Sequence, residues 1–146
     1  MINTIKSWLH LLIKYLFLFC IGGVVYVLIE MLGRGHSHFS MFILGGACFV
    51  LMGLLNEFFT WDTPLLLQML AAAFIITDLE FITGCYVNLY KGWEVWDYSN
   101  LPLNYLGQVC LLYSVFWFLL SVIGIMLDDF IRYKFFKEEK PRYKLI

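Results

Sequence analysis

The sequence predicts an all-α, polytopic membrane protein: four transmembrane helices in a compact bundle, with the N and C termini both cytoplasmic. Three observations carry this expectation. Of the 146 residues, 62% are hydrophobic and only 14% charged, with a mean hydropathy of +0.79. A soluble chain this short keeps too much of its surface in water to hide that apolar fraction, whereas a bilayer serves as the apolar solvent. The apolar residues fall into four stretches, 16–32, 39–55, 64–90 and 105–127, separated by short polar breaks. Each is near the length of roughly 20 residues that a helix needs to cross. Finally, six of the ten Lys and Arg lie beyond residue 131. Four spans put both ends on one side. That side holds Lys6, Lys14 and the six tail residues, against Arg34 and Lys91 on the other, so the positive-inside rule places the termini in the cytoplasm.

The elements follow in chain order. Residues 3–15 mix Lys6, His10 and Lys14 with Trp8 and leucines, an interfacial lead-in whose lysines are expected to snorkel toward headgroups. Glu30 and Arg34 stand where a signal peptide would need small residues, so the first apolar run reads as a retained helix. Arg34 to His38 form a polar turn, and span two ends at Asn56 and Glu57. Asp62, Thr63 and Pro64 make a tight turn, with Pro64 suited to the first helical position of span three. That span, at about 27 residues, exceeds what crossing requires and implies tilt or overhang. The longest interruption follows, KGWEVWDYSNLPLNYLGQ, with Trp93, Trp96 and Tyr98 suited to the headgroup zone and Asp97 to Pro102 suited to a turn. Span four is expected from Tyr105 to Leu127, stopped by Asp128 and Asp129. The basic tail, 128–146, reads as a surface-lying segment.

Four acids interrupt the apolar stretches: Glu30, Glu57, Asp78 and Glu80. Intramembrane charge needs a partner or water. Glu57 can reach the interface, and Glu30 lies one turn before Arg34 in the favourable i,i+4 order. At 100° per residue, Thr77, Glu80, Gly84 and Asn88 share one narrow face of span three, with Asp78 to the side. In span four, Gly107, Cys110, Ser114, Trp117, Ser121, Gly124 and Asp128 recur at spacings of three and four, a small and polar packing seam. Span one offers Gly23, Tyr26, Glu30 and Gly33 in the same rhythm, and span two Gly45, Gly46 and Gly53. Two readings of Glu80 stand. It is a hydrogen-bonded packing residue that ties helices to the loop, or it lines a polar pocket with Glu30, Arg34, Trp96, Asp97, Tyr98, Ser99 and Asn104. Cys20, Cys48, Cys85 and Cys110 sit in four different apolar stretches without ligand spacing, so they read as packing residues. His36 and His38 lack an HExxH pattern. No metal and no cofactor is expected.

Several of these segments carry a resemblance. EFITG (Glu80 to Gly84), VWDYSNLPLNYLGQVC (Val95 to Cys110), Trp117 and LDDFIRY resemble the ABC-transporter permease family of small bacterial membrane proteins sometimes called type IV. RGHSHFSMFILGG (Arg34 to Gly46) extends the likeness to a subgroup of Firmicutes and some of their phages, and together the segments cover nearly the whole chain. The chain departs from the broader pattern at His36 to Met41, where that pattern has Gly-Pro and Pro-x-Tyr-Gly elements. The resemblance implies a transport-related membrane component without naming a substrate.

Three functional classes follow. The first is a permease-like component of the bacterial cytoplasmic membrane, its polar centre built by Glu30, Glu80 and Asp97. Its partners would be the lipid bilayer, further copies of itself meeting at glycine-rich faces, and a separate ATPase or other membrane subunit, since the sequence contains no GxxxxGK[ST]. The second is a non-enzymatic scaffold or a phage-type membrane-perturbing protein working through its basic tail. The third, an enzyme, is disfavoured, because no nucleophile–base order or phosphate cradle stands out. No nucleic-acid partner is expected.

Overall fold

The computed structural model describes the backbone of residues 2–146 and the side chains of residues 7–55 and 57–146. Four α-helices account for most of the chain: α1 (Ile2–Arg34), α2 (Phe39–Phe58), α3 (Leu65–Gly84) and α4 (Leu111–Phe136). The stretches Ser7–Arg34, Leu65–Tyr90 and Leu111–Phe136 are long and apolar enough to cross a membrane, while the apolar part of α2, Phe39–Leu55, is shorter. The chain is therefore a mostly helical membrane protein. The side chains of Lys6 and Asn56, which entered the charge count and the end of span two, lie outside the described residues.

The chain divides into two compact units, Met1–Val50 and Leu51–Ile146. In the first, glycines let two helix backbones approach. A Cβ on Gly22 or Gly45 would overlap Phe49 or Tyr26 respectively, and one on Gly46 would sit 2.7 Å from the Phe19 carbonyl oxygen. Small residues at such contacts stand in for the hydrophobic drive that lipid removes. Phe19 and Phe42 close the same seam edge-to-face at 6.0 Å. Lys14 does not snorkel: it is buried, its ammonium 4.9 Å from the Tyr15 ring centroid.

In the second unit α3 and α4 run antiparallel. Thr77 donates to Ser114, and eight residues earlier the Met69 carbonyl receives Ser121, seven residues later. The seam expected on span four holds from Ser114 onward: Trp117, Ser121 and Asp128 are buried, and Gly124 admits Met52. Pro64 precedes α3 rather than opening it, with its carbonyl accepting from Leu67 and Gln68. Beyond Gly84 the helix continues as a π-helical turn, Cys85–Tyr90.

α1 begins at Ile2, well before the expected span start at residue 16, and both ends of span four differ from expectation. Residues 105–110 are not helix. Asn104–Tyr105 (β1) pairs antiparallel with Val109–Cys110 (β2), and α4 starts at Leu111. Gly107 thus leaves the seam. It turns the hairpin at φ +68°, where a side chain would also collide with Ser99. At the far end, Asp128 and Asp129 do not stop α4, which runs on to Phe136. Both are buried and paired, Asp128 with Arg132 at 2.6 Å and Asp129 with the hydroxyl of Tyr143 at 2.7 Å. Internal satisfaction removes the reason for a helix to end there.

The tail after α4 is a strap. The carbonyls of Lys144 and Leu145 accept from the amides of Leu65 and Leu66, which open α3 and have no partner within that helix. Trp61 donates to Glu139, Trp61 packs edge-to-face on Tyr143, and Lys144 pairs with Asp62.

Candidate functional site

Glu80 occupies the turn of α3 that faces α4, and it is 1% exposed. Donors reach it from different elements. The indole Nε1 of Trp117 on α4 donates to Oε2 at 3.1 Å, and the Tyr98 hydroxyl, from the segment before the hairpin, donates to Oε1 at 3.0 Å. Leaving a buried carboxyl without donors would be costly, so these contacts pin the loop to both helices. Tyr98 is held in place by stacking on Tyr113, ring centroids 4.6 Å apart and planes 16° from parallel. Tyr113 continues edge-on to Phe116, and Phe116 to Trp117, so an aromatic chain returns to the same carboxyl group.

One turn further along the same face of α3, Gly84 admits Trp96 and Gln108; a Cβ there would lie 2.6 Å from Gln108 Oε1. Gln108 is the hub. Its Oε1 accepts from Asn88 Nδ2 at 2.8 Å, its carbonyl from Trp96 Nε1 at 2.9 Å, and its own amide donates to the Leu106 carbonyl. Asn88 in turn accepts the Val95 amide at 2.7 Å. The face Thr77–Glu80–Gly84–Asn88 is therefore one polar ladder, each rung met by α4 or by the loop.

The other site residues expected from sequence fall in three places. Asp97 accepts from the Ser99 amide and hydroxyl, at 2.8 and 2.5 Å, closing a local turn. Those two bonds hold the Asp97 carboxyl below its ordinary range. Asn104 donates to the carbonyls of Leu101 and Ser99 and accepts the Gly107 amide. These two residues shape the loop and make no hydrogen bond to Glu80. Trp96 is buried against Gln108 rather than set in a headgroup belt. Glu30 and Arg34 form their i,i+4 ion pair at the end of α1, within the first unit. Asp78 is exposed on α3, near the middle of its apolar length.

A second polar centre, absent from the sequence-based site, lies where α4 meets the strap. Arg132, 2% exposed, donates to Asp128 and has Glu138 at 3.7 Å and Glu57 at 3.9 Å. Asp128 lies over Gly53, where a Cβ would come within 2.5 Å of its Oδ1. Arg132, Asp129 and Gln68 line a cleft of about 620 Å³ with Trp61, Glu57 and Glu138. The spacing of Asp128 and Arg132 was the available signal for this centre. The long-range partners Tyr143 and Glu57 had none.

Apolar helices long enough to cross a bilayer, joined by a loop that packs its polar groups onto a buried acid, define a polytopic integral membrane protein. Within that class, residues 13–145 match the family described as Putative ABC-transporter type IV, and the chain belongs to this family. Comparison with curated proteins and with solved structures gives no match.

Proposed function

We propose that this chain is the permease-like, non-enzymatic membrane component of a transport complex in the bacterial cytoplasmic membrane, with ATP hydrolysis supplied by a separate subunit. The observation that carries the reading is Glu80, an acid inside an apolar helix with donors from a neighbouring helix and from a loop tyrosine. Such a group is expensive in a bilayer and is retained where polar cargo or a moving gate needs it. Withdrawal of Tyr98 would remove one donor from the carboxyl without dismantling the α3–α4 pair. Asp78 supports a partner subunit. An exposed carboxyl group at mid-span calls for a donor from another membrane helix. The charge bias of the tail supports cytoplasmic termini, and the absence of GxxxxGK[ST] from these 146 residues supports a separate ATPase.

The test is purification in mild detergent from cells making the tagged chain, with stoichiometric partners identified by mass spectrometry. A P-loop ATPase that Asp78→Leu displaces supports the proposal; the chain alone, or only copies of itself, overturns it. One observation favours a second reading, a membrane scaffold: both Glu80 oxygens are already engaged by donors of the chain itself. Glu80→Gln separates the two, since a scaffold keeps its assembly and activity whereas a transport component assembles normally and loses transport.

A further inference from the structure

We infer that the hairpin of residues 101–110 is inserted into the bilayer beside α3, with the side chains of Leu103, Tyr105 and Leu106 in contact with lipid. Depth is the first argument. The Tyr105 ring packs on Phe81 at 5.3 Å between centroids, and Tyr98 reaches Glu80. Phe81 lies nine residues before the end of the apolar stretch Leu65–Tyr90. At the helical rise of 1.5 Å per residue, the hairpin therefore descends on the order of 10 Å alongside the span. The alternative, that α3 leaves the membrane at Phe81, would put the exposed Ile82, Tyr86, Leu89 and Tyr90 in water.

Polarity is the second argument. A loop standing in water turns its polar groups outward and its apolar ones in. This hairpin does the reverse: Leu103 is 76% exposed, Tyr105 63% and Leu106 58%, while Gln108 is buried and Asn104 is spent on backbone groups. Leu103 and Leu106 hold φ of 53° and 52°, a conformation leucine rarely adopts. Lipid contact explains why leucines rather than glycines occupy these positions. Non-helical backbone tolerates such depth only when its own hydrogen bonds are made. Here the amides of Tyr98, Leu101, Gly107, Gln108 and Leu111 all donate within the loop. The apolar surface also runs without a break into Leu111 and Leu112, exposed at the start of α4. Glu94 and Asn100, in the preceding segment, remain exposed and polar and mark the part that stays in water, while Asp97, beside Gly107, has its carboxyl engaged by the Ser99 amide and hydroxyl.

The test uses nitroxide labels in nanodiscs of phosphatidylethanolamine and phosphatidylglycerol. Leu106→Cys is made in a chain whose four native cysteines are replaced by alanine, with Leu112→Cys as the lipid reference and Asn100→Cys as the water reference. The label at 106 is expected to collide with oxygen in preference to a nickel chelate, with a ratio several-fold above that at 100 and close to that at 112. Nickel access equal to that at 100 overturns the inference. So does protection from both reagents, which would mean that protein covers the hairpin. The unmodified chain gives an independent reading by hydroxyl-radical footprinting in the same nanodiscs. After correction for intrinsic reactivity, Tyr105 is expected to react several-fold less than the exposed His36, and equal reaction overturns the inference.

Discussion

The Tyr98 hydroxyl donates to Glu80 Oε1 over 3.0 Å, joining residues 18 apart in sequence across the end of a membrane helix. The Tyr98 hydroxyl thereby adds a bond to the carboxyl at the core to those that Asn88 makes with Val95 and Gln108 nearer the helix end, while Trp117 holds the other oxygen from α4. One donor belongs to a helix, and the other to the loop, where stacking on Tyr113 sets the ring.

Tyr98→Phe removes the hydroxyl and keeps the ring on Tyr113. It is expected to cost about 1–3 kcal/mol, the usual range for losing a hydrogen bond to a buried carboxyl group. Trp117→Phe should cost a similar amount. The double variant should depart from additivity, because both donors serve one carboxyl group. Reversible unfolding in mixed micelles reads all three. Strict additivity would show that Glu80 does not couple loop and helix.

Gly107 and Gly92 both have positive φ, but only Gly107 is crowded, with Asp97 and Ser99 beside it. Gly92→Ala should cost about 1 kcal/mol for conformation alone. Gly107→Ala adds a collision with the Asp97–Ser99 turn and should cost clearly more, with increased hydrogen exchange at the Tyr98 amide that donates to Gly107. Equal costs would mean that the turn yields without penalty.

Hydropathy made the helices legible, and helical spacing made the ladder of Thr77, Glu80, Gly84 and Asn88 legible, because a face that must stay polar in lipid stands out against its neighbours. The hairpin was not legible. Leu101, Leu103, Leu106 and Val109 are apolar and merge with span four, and left-handed leucines carry no local signal. Asp128 and Asp129 read as a helix stop because charge usually ends a span; their partners Arg132 and Tyr143 reverse that meaning. Trp96 read as an interfacial aromatic, yet its indole serves a backbone carbonyl inside the protein. Sequence gives a residue's polarity, while its partner decides which way the residue faces.

Arg132 is expected to be the most sensitive charged position in the second unit. Arg132→Gln leaves Asp128, 0% exposed, without its cation, and breaking a buried pair on one side typically costs about 3–5 kcal/mol. Asp128→Asn should cost less than Arg132→Gln, because Glu57 and Glu138 still face the guanidinium. Both are measured by thermal denaturation in detergent, and a loss below that of the exposed-site control Lys134→Gln would remove the cluster from the stability of the fold.

The strap should loosen at both ends of the pH scale, for opposite reasons. Asp62 titrates below its ordinary value of 3.8, through its hydrogen bond to and attraction by Lys144. A depressed carboxylate stabilises the fold above its unfolded value, and that contribution is lost as pH falls through the folded one. Tyr143 moves the other way: burial, the hydrogen bond to Asp129 and the nearby negative charge raise it above its ordinary 10.0. Its contribution is complete below pH 10 and is lost as pH rises through the raised value. Protection of the Leu65 and Leu66 amides, corrected for intrinsic exchange, should therefore hold through neutral pH and fall below about pH 3.8, with Asp62→Asn removing only the acid limb. In alkali, absorbance at the phenolate band should show ionisation persisting past pH 10, and Tyr143→Phe should remove one tyrosine's share of that late step. A late step undiminished by Tyr143→Phe would leave the strap without its anchor on Asp129.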